Sequence, residues 1–272
     1  MAHVTPHNEH NAIKNVAFAL EFSDHIAPEV VRQAIDIYKS DKELSQGLPR
    51  MVPMEALTFQ VNGNFGTQSL PSKSLSGVTF DRLKENGDSK WAVIIRPDAF
   101  IVLCNEYTHW GEIVPQAIKY INKLIPAFEG IAINVIGLEF VDEFFVDDLN
   151  DSKWLDELFN PDSSFLSPHL KKKASAWHSH SGHWEEINFA DKVYLSLINS
   201  FIDCQTEDEI ERDVVRIRHM QKIHLNEDVL ASEVVKNEQL EIVYGQAHTI
   251  NLAFVSDLLS KKMKEMINMG AK

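Results

Sequence analysis

Large apolar side chains alternate with small or polar ones from Ile13 to Phe22. The large apolar residues are Val16, Phe18, Leu20 and Phe22. Because successive side chains of a β-strand point to opposite faces, this period of two predicts a strand with one buried face. After Pro28, apolar residues recur at helical spacing until about Ser40, which predicts a helix. The chain therefore opens with a strand followed by a helix.

Three further strands are predicted before the middle of the chain. Met54–Val61 is the first, and the next two form a hairpin with arms at Trp91–Ile95 and Phe100–Cys104. Pro97 lies in the connection between the arms and supplies the fixed φ that a turn requires. The segment Asn62–Ser76, rich in glycine, asparagine and serine, predicts an exposed loop.

A long helix and a central strand complete the predicted first half. From Trp110 to Phe128 apolar residues recur every three or four positions, which predicts a helix with one continuous apolar face. Ile131–Phe145 is apolar at nearly every second position and often at adjacent ones. That pattern is typical of a strand covered on both faces. The acidic run Asp147–Asp151 lacks the glycine and the distant glutamate of a calcium loop, so it predicts an exposed connector.

The second half repeats this order of strands followed by a helix. After a short helix near Ser152–Phe159 and a connector to Pro168, the pattern predicts three strands and a final helix. The strands are Lys171–Phe189, Lys192–Asp203 and Arg212–Leu225, and the helix is Gln246–Met269. We therefore predict an α+β fold with two antiparallel-sheet halves, residues 1–150 and 165–272, each a meander followed by a long amphipathic helix packed on the sheet. The alternative is one compact domain.

Charge and cysteine content narrow the classes of function. The chain has 40 acidic and 26 basic residues, a formal charge of -14, so its overall field repels nucleic acids and anionic membranes. Its two cysteines, Cys104 and Cys204, lie in apolar strand-like segments and are too few for a disulfide framework. The N-terminal residues lack the apolar core of a signal peptide, and no stretch is long and apolar enough to span a membrane. We expect a cytoplasmic protein that does not bind membranes.

Four segments together resemble a known family. They are NAIKNVAFALEF, RPDAFIVLCNEYTHWGEI, NVIGLEFVDEF and HTINLAFVSDLLSKKM. In this order they resemble an uncharacterised, sporadically distributed prokaryotic family of similar length. The resemblance runs from about Asn11 to the end of the chain, and it implies association with mobile or defence loci. Members commonly carry an arginine-rich version of Gly137–Asp142, which is acidic in this chain, and this departure argues against an anion-binding role for the strand.

The segment Trp177–Glu186 holds three closely spaced histidines, His178, His180 and His183. On a strand His178 and His180 share a face, and a bend at Gly182 would bring His183 or Glu185 beside them. Three imidazoles arranged in this way would bind a transition metal such as zinc. The alternative is a surface or packing role, because pairs of this spacing occur by chance in a chain with 12 histidines.

Basic residues recur at even positions along Arg212–Leu225. They are Arg212, Arg216, Arg218, Lys222 and His224, and they share one face if the strand is regular. Such a basic strand would bind a phosphate, a nucleic-acid backbone or an acidic protein surface. The alternative is neutralisation by carboxylates on the neighbouring strand, such as Asp203.

Aromatic residues and two further histidines complete the candidates. Trp177, Trp184, Tyr107 and Trp110 are predicted interface residues, because aromatic side chains are enriched where proteins meet. His109 and His248 are predicted at the starts of the two long helices, as polar contacts between helix and sheet. No phosphate loop, dinucleotide fingerprint, nucleophile elbow or metalloprotease motif is present in the sequence.

The leading hypothesis is a non-catalytic macromolecule-binding protein. Its partner would be another protein, such as the toxin or effector of a defence or toxin-antitoxin locus, and the chain would be the partner or neutralising component. One alternative is a metal-dependent hydrolase or nuclease that uses His178, His180 and His183. Another is a nucleotide- or RNA-binding protein that uses the basic strand. Association between copies of the chain is expected, if anywhere, around Trp177 and Trp184.

Overall fold

The computed structural model describes residues 4–8, 11–58, 72–170, 176–189, 192–207, 212–236 and 239–269. The strands in these ranges are β1 (Val4–Pro6), β2 (Ile13–Phe22), β3 (Arg50–Thr58), β4 (Ser72–Leu83), β5 (Ser89–Ile95), β6 (Ala99–Cys104), β7 (Ala132–Val146), β8 (Trp177–Phe189), β9 (Lys192–Glu207) and β10 (Arg212–Leu230). The helices are α1 (Pro28–Ser40), α2 (Lys42–Gly47), α3 (Trp110–Leu124), α4 (Lys153–Leu158), α5 (Ala231–Val234), α6 (Gln239–Leu258) and α7 (Lys261–Met266). None of these helices has the length and apolar character needed to cross a membrane.

The described strands form one large antiparallel sheet. The order of hydrogen-bonded neighbours is β3-β4-β5-β6-β2-β7-β10-β9-β8, and β1 pairs with β7. The prediction of mixed helices and antiparallel strands is confirmed. Two separate sheets, one for each half of the sequence, are not confirmed, because strands from both halves belong to the same sheet.

The chain divides into two compact units that do not follow its linear halves. The first unit comprises Met1–Ala17, Gly137–His224 and Ile242–Lys272. The second unit comprises Phe18–Ile136 and Leu225–Glu241. Each unit is therefore assembled from segments that are distant in the sequence.

The second unit holds α1, α3 and the Phe18–Phe22 part of β2, whose patterns were clearest in the sequence. β2 has the predicted bounds, and α1 and α3 begin at the predicted Pro28 and Trp110. Aromatic rings of these elements pack against the strands: Tyr38 of α1 stacks on Phe80 with ring centroids 4.2 Å apart. The predicted loop Asn62–Ser76 is wrong for Ser72–Ser76, which begin β4, and residues 62–71 lie outside the described ranges.

The first unit packs its helices on one side of β8–β10. Its buried core cluster includes Trp154 of α4, Ile202 of β9, Ile217 of β10 and Phe254 of α6. The predicted single final helix Gln246–Met269 is wrong in its bounds: α6 begins earlier and ends at Leu258. Leu259 pairs with Phe159 in an isolated β-bridge, which requires extended backbone, and Ser260 then caps α7 by accepting a hydrogen bond from the Met263 amide.

Candidate functional site

The unbroken register of β8, β9 and β10 gives the sheet of the first unit two different faces. His219 lies opposite Ser200, which lies opposite Ser181, and the adjacent row is Arg218, Phe201 and His180. Directly opposite residues of antiparallel strands point to the same face. In the row that begins with His219, the β9 and β10 residues are buried, and this side is named the covered face. The row that begins with Arg218 is exposed or half-buried, and its side is named the open face.

The open face carries the basic strand predicted from the sequence. In β10 the odd-numbered residues from Val215 to Ile223 are buried and lie on the covered face. Arg216, Arg218, Lys222 and His224 occupy the intervening open-face positions. Arg212, near the start of the same strand, lies over the Phe145 ring at 5.2 Å from its centroid. The structure therefore brings all five predicted basic residues to one face.

Carboxylates on β7 neutralise part of this basic strand. Glu143 accepts hydrogen bonds from Arg216 Nε at 2.6 Å and from Lys14 Nζ at 2.7 Å. Glu139 lies 3.7 Å from Arg218 Nε. Asp203, the carboxylate named from the sequence, does lie directly opposite Arg216 on β9. The sequence did not identify the two β7 carboxylates, because β10 has a second neighbour that is distant in the chain.

Glu143 has the most perturbed carboxyl group of the open face. Its side chain is only 4% exposed, and burial alone would raise its pKa. Hydrogen bonds from His7, Lys14 and Arg216 outweigh burial and lower the pKa from 4.5 to about 2. The carboxylate is therefore charged and holds two cations in place. Burial has the larger influence on Glu139, whose pKa is raised despite the charge of Arg218.

The three clustered histidines are divided between the two faces of β8. His178 and His180 lie on the open face, where the imidazole of His180 stacks on Phe201 with ring centroids 3.9 Å apart. His183 lies opposite Ile198 and points to the covered face. The strand does not bend at Gly182, since its pairing with β9 continues through this residue without a register shift. A Cβ at this position would collide with the side chain of Asn199. In the described ranges no three metal-binding side chains converge on one point.

Of the four aromatic residues predicted at an interface, Trp184 is exposed and the others are packed. Trp184 is 52% exposed on the open face, and Val193 at 49% and Leu195 at 44% lie on the same side of neighbouring β9. These three residues are named the apolar patch. Trp177 instead stacks near Trp154 of the core, with ring centroids 6.3 Å apart.

The other two aromatic candidates, Tyr107 and Trp110, belong to the second unit. Both are half-buried. Trp110 begins α3 and stacks on Phe18 with ring centroids 5.9 Å apart. His109 is the N-cap residue of this helix, as predicted, and pairs with Glu112 at 3.0 Å. These side chains hold the start of α3 in place.

A polar row that the sequence did not reveal crosses the covered face. Asp142 Oδ2 lies 2.9 Å from His219 Nε2, and the hydroxyls of Ser200 and Ser181 are 2.8 Å apart. A carboxylate, an imidazole and a hydroxyl also make up a catalytic triad. Here the Ser200 hydroxyl bonds to Ser181, His219 Nδ1 has no hydrogen-bond partner among the described residues, and Ser200 and His219 are buried. The row therefore supports the packing of the covered face.

His248 lies over this polar row from the middle of α6, not from a helix start as predicted. Its ring is 5.8 Å from that of Phe140. Burial, assisted by the nearby His219, lowers the pKa of His248 from 6.5 to about 4.

The titration of His248 predicts a loss of stability in mild acid. His248 takes up a proton near pH 6.5 in the unfolded chain and only near pH 4 in the folded chain. Between these values protonation favours the unfolded chain, so the free energy of unfolding falls as the pH is lowered from 6.5 to 4. Because the ring is partly exposed and solvent screens its charge, we expect the free energy of unfolding to fall by about 2 kcal/mol over this range. Urea unfolding of the wild type and of His248→Gln at several pH values measures it. An equal pH dependence of the two proteins would contradict the prediction.

The second unit contains a cleft of about 420 Å³ lined by Arg82, Lys90, Trp91, Tyr120 and other residues. Arg82 donates hydrogen bonds to the backbone carbonyls of Gly47 and Gln46. Three lysines of the cleft form ion pairs: Lys90 with Glu106, Lys119 with Glu43, and Lys123 with Asp41 and Glu43. Because carboxylates already engage these lysines, the cleft is a weaker candidate than the open face.

Comparison with known proteins leaves the function to be inferred from this geometry. No model of a known protein family matches the chain, and no curated protein matches it.

Proposed function

We propose that this chain is a non-catalytic binding protein that holds another protein on its open face. The observation that carries the proposal is the apolar patch of Trp184, Val193 and Leu195, which lies beside Lys222 and His224 on the same face. Exposed apolar clusters rimmed by polar residues are typical of surfaces that bind other proteins. The covered-face side chains of β9 between Ser196 and Cys204 and of β10 between Val215 and Ile223 are buried, so this part of the covered face gives no comparable surface.

The composition of the open face supports a protein partner. Beside the apolar patch, the face carries Phe201, Met220 and Arg218. Tryptophan, phenylalanine, methionine and arginine are the residue types enriched where proteins bind each other, and lysine and glutamate are depleted there. Trp184 is expected to contribute a large share of the binding free energy, because a large, rigid, exposed indole buries much area on binding.

The charges of the open face favour a protein surface that carries both acidic and basic groups over a nucleic acid. Arg218 and Arg212 present guanidinium groups that would pair with carboxylates of a partner. Glu139, Asp203 and Glu186 lie on the same face, and the whole chain has a charge of -14, so a polyphosphate backbone would meet repulsion at short and at long range. An effector protein encoded in the same locus is the first partner to test, as the family resemblance implies.

Replacing Trp184 by alanine is expected to abolish capture of the partner. Loss of a central indole weakens binding by at least about 30-fold, or about 2 kcal/mol. The tagged chain is expressed in its host with a photo-cross-linking residue at position 193 of the apolar patch, so that Trp184 stays in place, and the cross-linked protein is identified by mass spectrometry. The affinity of that protein for wild type and Trp184→Ala is then measured by calorimetry.

Leu252→Ala is the matched control, because Leu252 is 45% exposed but lies on α6. It should bind the partner with wild-type affinity. The proposal is contradicted if Trp184→Ala and Leu252→Ala bind equally well. Binding of single-stranded RNA that weakens steeply with salt and requires Arg218 would favour the nucleic-acid alternative.

A further inference from the structure

β8 is the terminal strand of the sheet, and its outer edge is long. It pairs with β9 over thirteen consecutive positions, from Trp177 to Phe189, and no strand of the described ranges pairs with its other side. A strand in this position presents a row of backbone N–H and C=O groups that can pair with another chain.

The two terminal strands of the sheet differ in how their edges are protected. β3, at the other end, contains Pro53, which has no backbone N–H, and a register shift between Met54 and Glu55. Prolines, lysines and bulges are the devices by which proteins prevent edge-to-edge pairing. β8 contains no proline or lysine, and its register with β9 has no shift. An edge of this length without protection is expected to be covered by a partner strand.

The charge pattern of β8 fits an antiparallel copy of itself. His178 and His180 lie in its first half, and Glu185 and Glu186 lie in its second half. Antiparallel self-pairing places the first half of one strand opposite the second half of the other, so imidazoles meet carboxylates. Parallel pairing would place Glu185 and Glu186 opposite their own copies, which is unfavourable.

The symmetry of such a pair restricts its register. Two-fold symmetry and continuous backbone hydrogen bonding require that one residue of β8 lies directly opposite the same residue of the second copy. The two-fold axis passes between these two residues, and we describe that residue as lying on the axis. With Gly182 on the axis, His178 lies opposite the second copy's Glu186. With His183 on the axis, His180 lies opposite that glutamate. Both registers place an imidazole opposite a carboxylate on the open face.

We propose that two copies of this chain associate through antiparallel pairing of their β8 strands. The sheet then continues from one copy into the other, and the two open faces lie on the same side. The dimer depends on the edge of β8 and not on what binds the open face, so it stands independently of the proposed function.

Charge reversal on β8 tests the pairing. The wild-type chain is expected to sediment at twice its mass of 31.0 kDa. His178→Glu/His180→Glu places like charges opposite each other and should raise the dimer dissociation constant by about 10-fold or more. Adding Glu185→Lys/Glu186→Lys should restore the dimer. Glu55→Lys on β3 is the matched control and should leave association unchanged.

Cysteine cross-linking tests the direction of pairing. The native Cys104 and Cys204 are buried, so an introduced thiol on β8 reports the interface. Ser181→Cys/His183→Cys places thiols of the two copies directly opposite each other in both registers and should form a disulfide between the copies, whereas Ser179→Cys should not. The proposal is overturned by a wild-type monomer, by a dimer that the charge reversals leave unchanged, or by equal cross-linking of the two cysteine variants.

Discussion

Glu143→Gln is expected to lower the free energy of unfolding at pH 7 by about 3 kcal/mol. This magnitude follows from the shift of the Glu143 pKa from 4.5 to about 2. It also agrees with the loss expected when one partner of a buried ion pair is removed. Glutamine keeps the shape of the side chain but leaves Arg216 and Lys14 without the carboxylate to which they donate.

The pH dependence of the variant provides a stricter test. Because the pKa of Glu143 is lowered by folding, its contribution is present above pH 4.5 and is lost as the pH falls to 2. The stability difference between wild type and Glu143→Gln should therefore shrink across this window, as measured by urea unfolding at pH 7, 4 and 2.5.

Glu139→Gln provides a control on the same strand and the same face. Burial raises the pKa of Glu139, so removing its charge should leave the stability at pH 7 unchanged or slightly raise it. Equal losses for Glu143→Gln and Glu139→Gln would show that the cluster around Glu143 makes no special contribution to stability.

Asp142→Leu is expected to destabilise the first unit by about 3 kcal/mol or more. The change removes the carboxylate that lies 2.9 Å from His219 Nε2 and leaves a buried imidazole without this partner. His219→Phe alone should have a similar effect, because it leaves the Asp142 carboxylate buried beside an apolar ring. Urea unfolding of the two single variants measures both losses.

The double variant Asp142→Leu/His219→Phe should recover most of the lost stability. Replacing both members of a buried polar pair by apolar side chains of similar size is often close to neutral. The new phenylalanine would also keep the ring contacts that His219 makes with Phe140 and Phe254. Additive losses in the double variant would mean that the two residues are not coupled and that the polar row does not act as a unit.

The parts of the fold that could be predicted are those set by local periodicity. β2, α1 and α3 were predicted from apolar residues spaced two, three or four positions apart, and this spacing determines which face of an element is buried whatever lies against it. The same reasoning placed the five basic residues of β10 on one face. The predicted final helix Gln246–Met269 began too late and ran too far, and the apolar spacing gave no sign that extended backbone at Leu259 would interrupt it.

The histidine cluster shows where local reasoning was insufficient. A bend at Gly182 was a reasonable expectation for glycine, but the strand stays regular because β8 pairs continuously with β9 through this residue. Only the pairing with β9 reveals this, and it separates His183 from His178 and His180.

The sequence by itself determined that the chain alternates strands with amphipathic helices and that β10 carries its basic residues on one side. The tertiary structure decided that all the described strands join in one sheet, that Glu139 and Glu143 lie against the basic strand, and that β8 lies at the end of the sheet. The physical reason is that side-chain alternation is a property of each segment, whereas strand order depends on hydrogen bonds between segments more than a hundred residues apart, as in the Glu143 amide bonding to the Ala12 carbonyl.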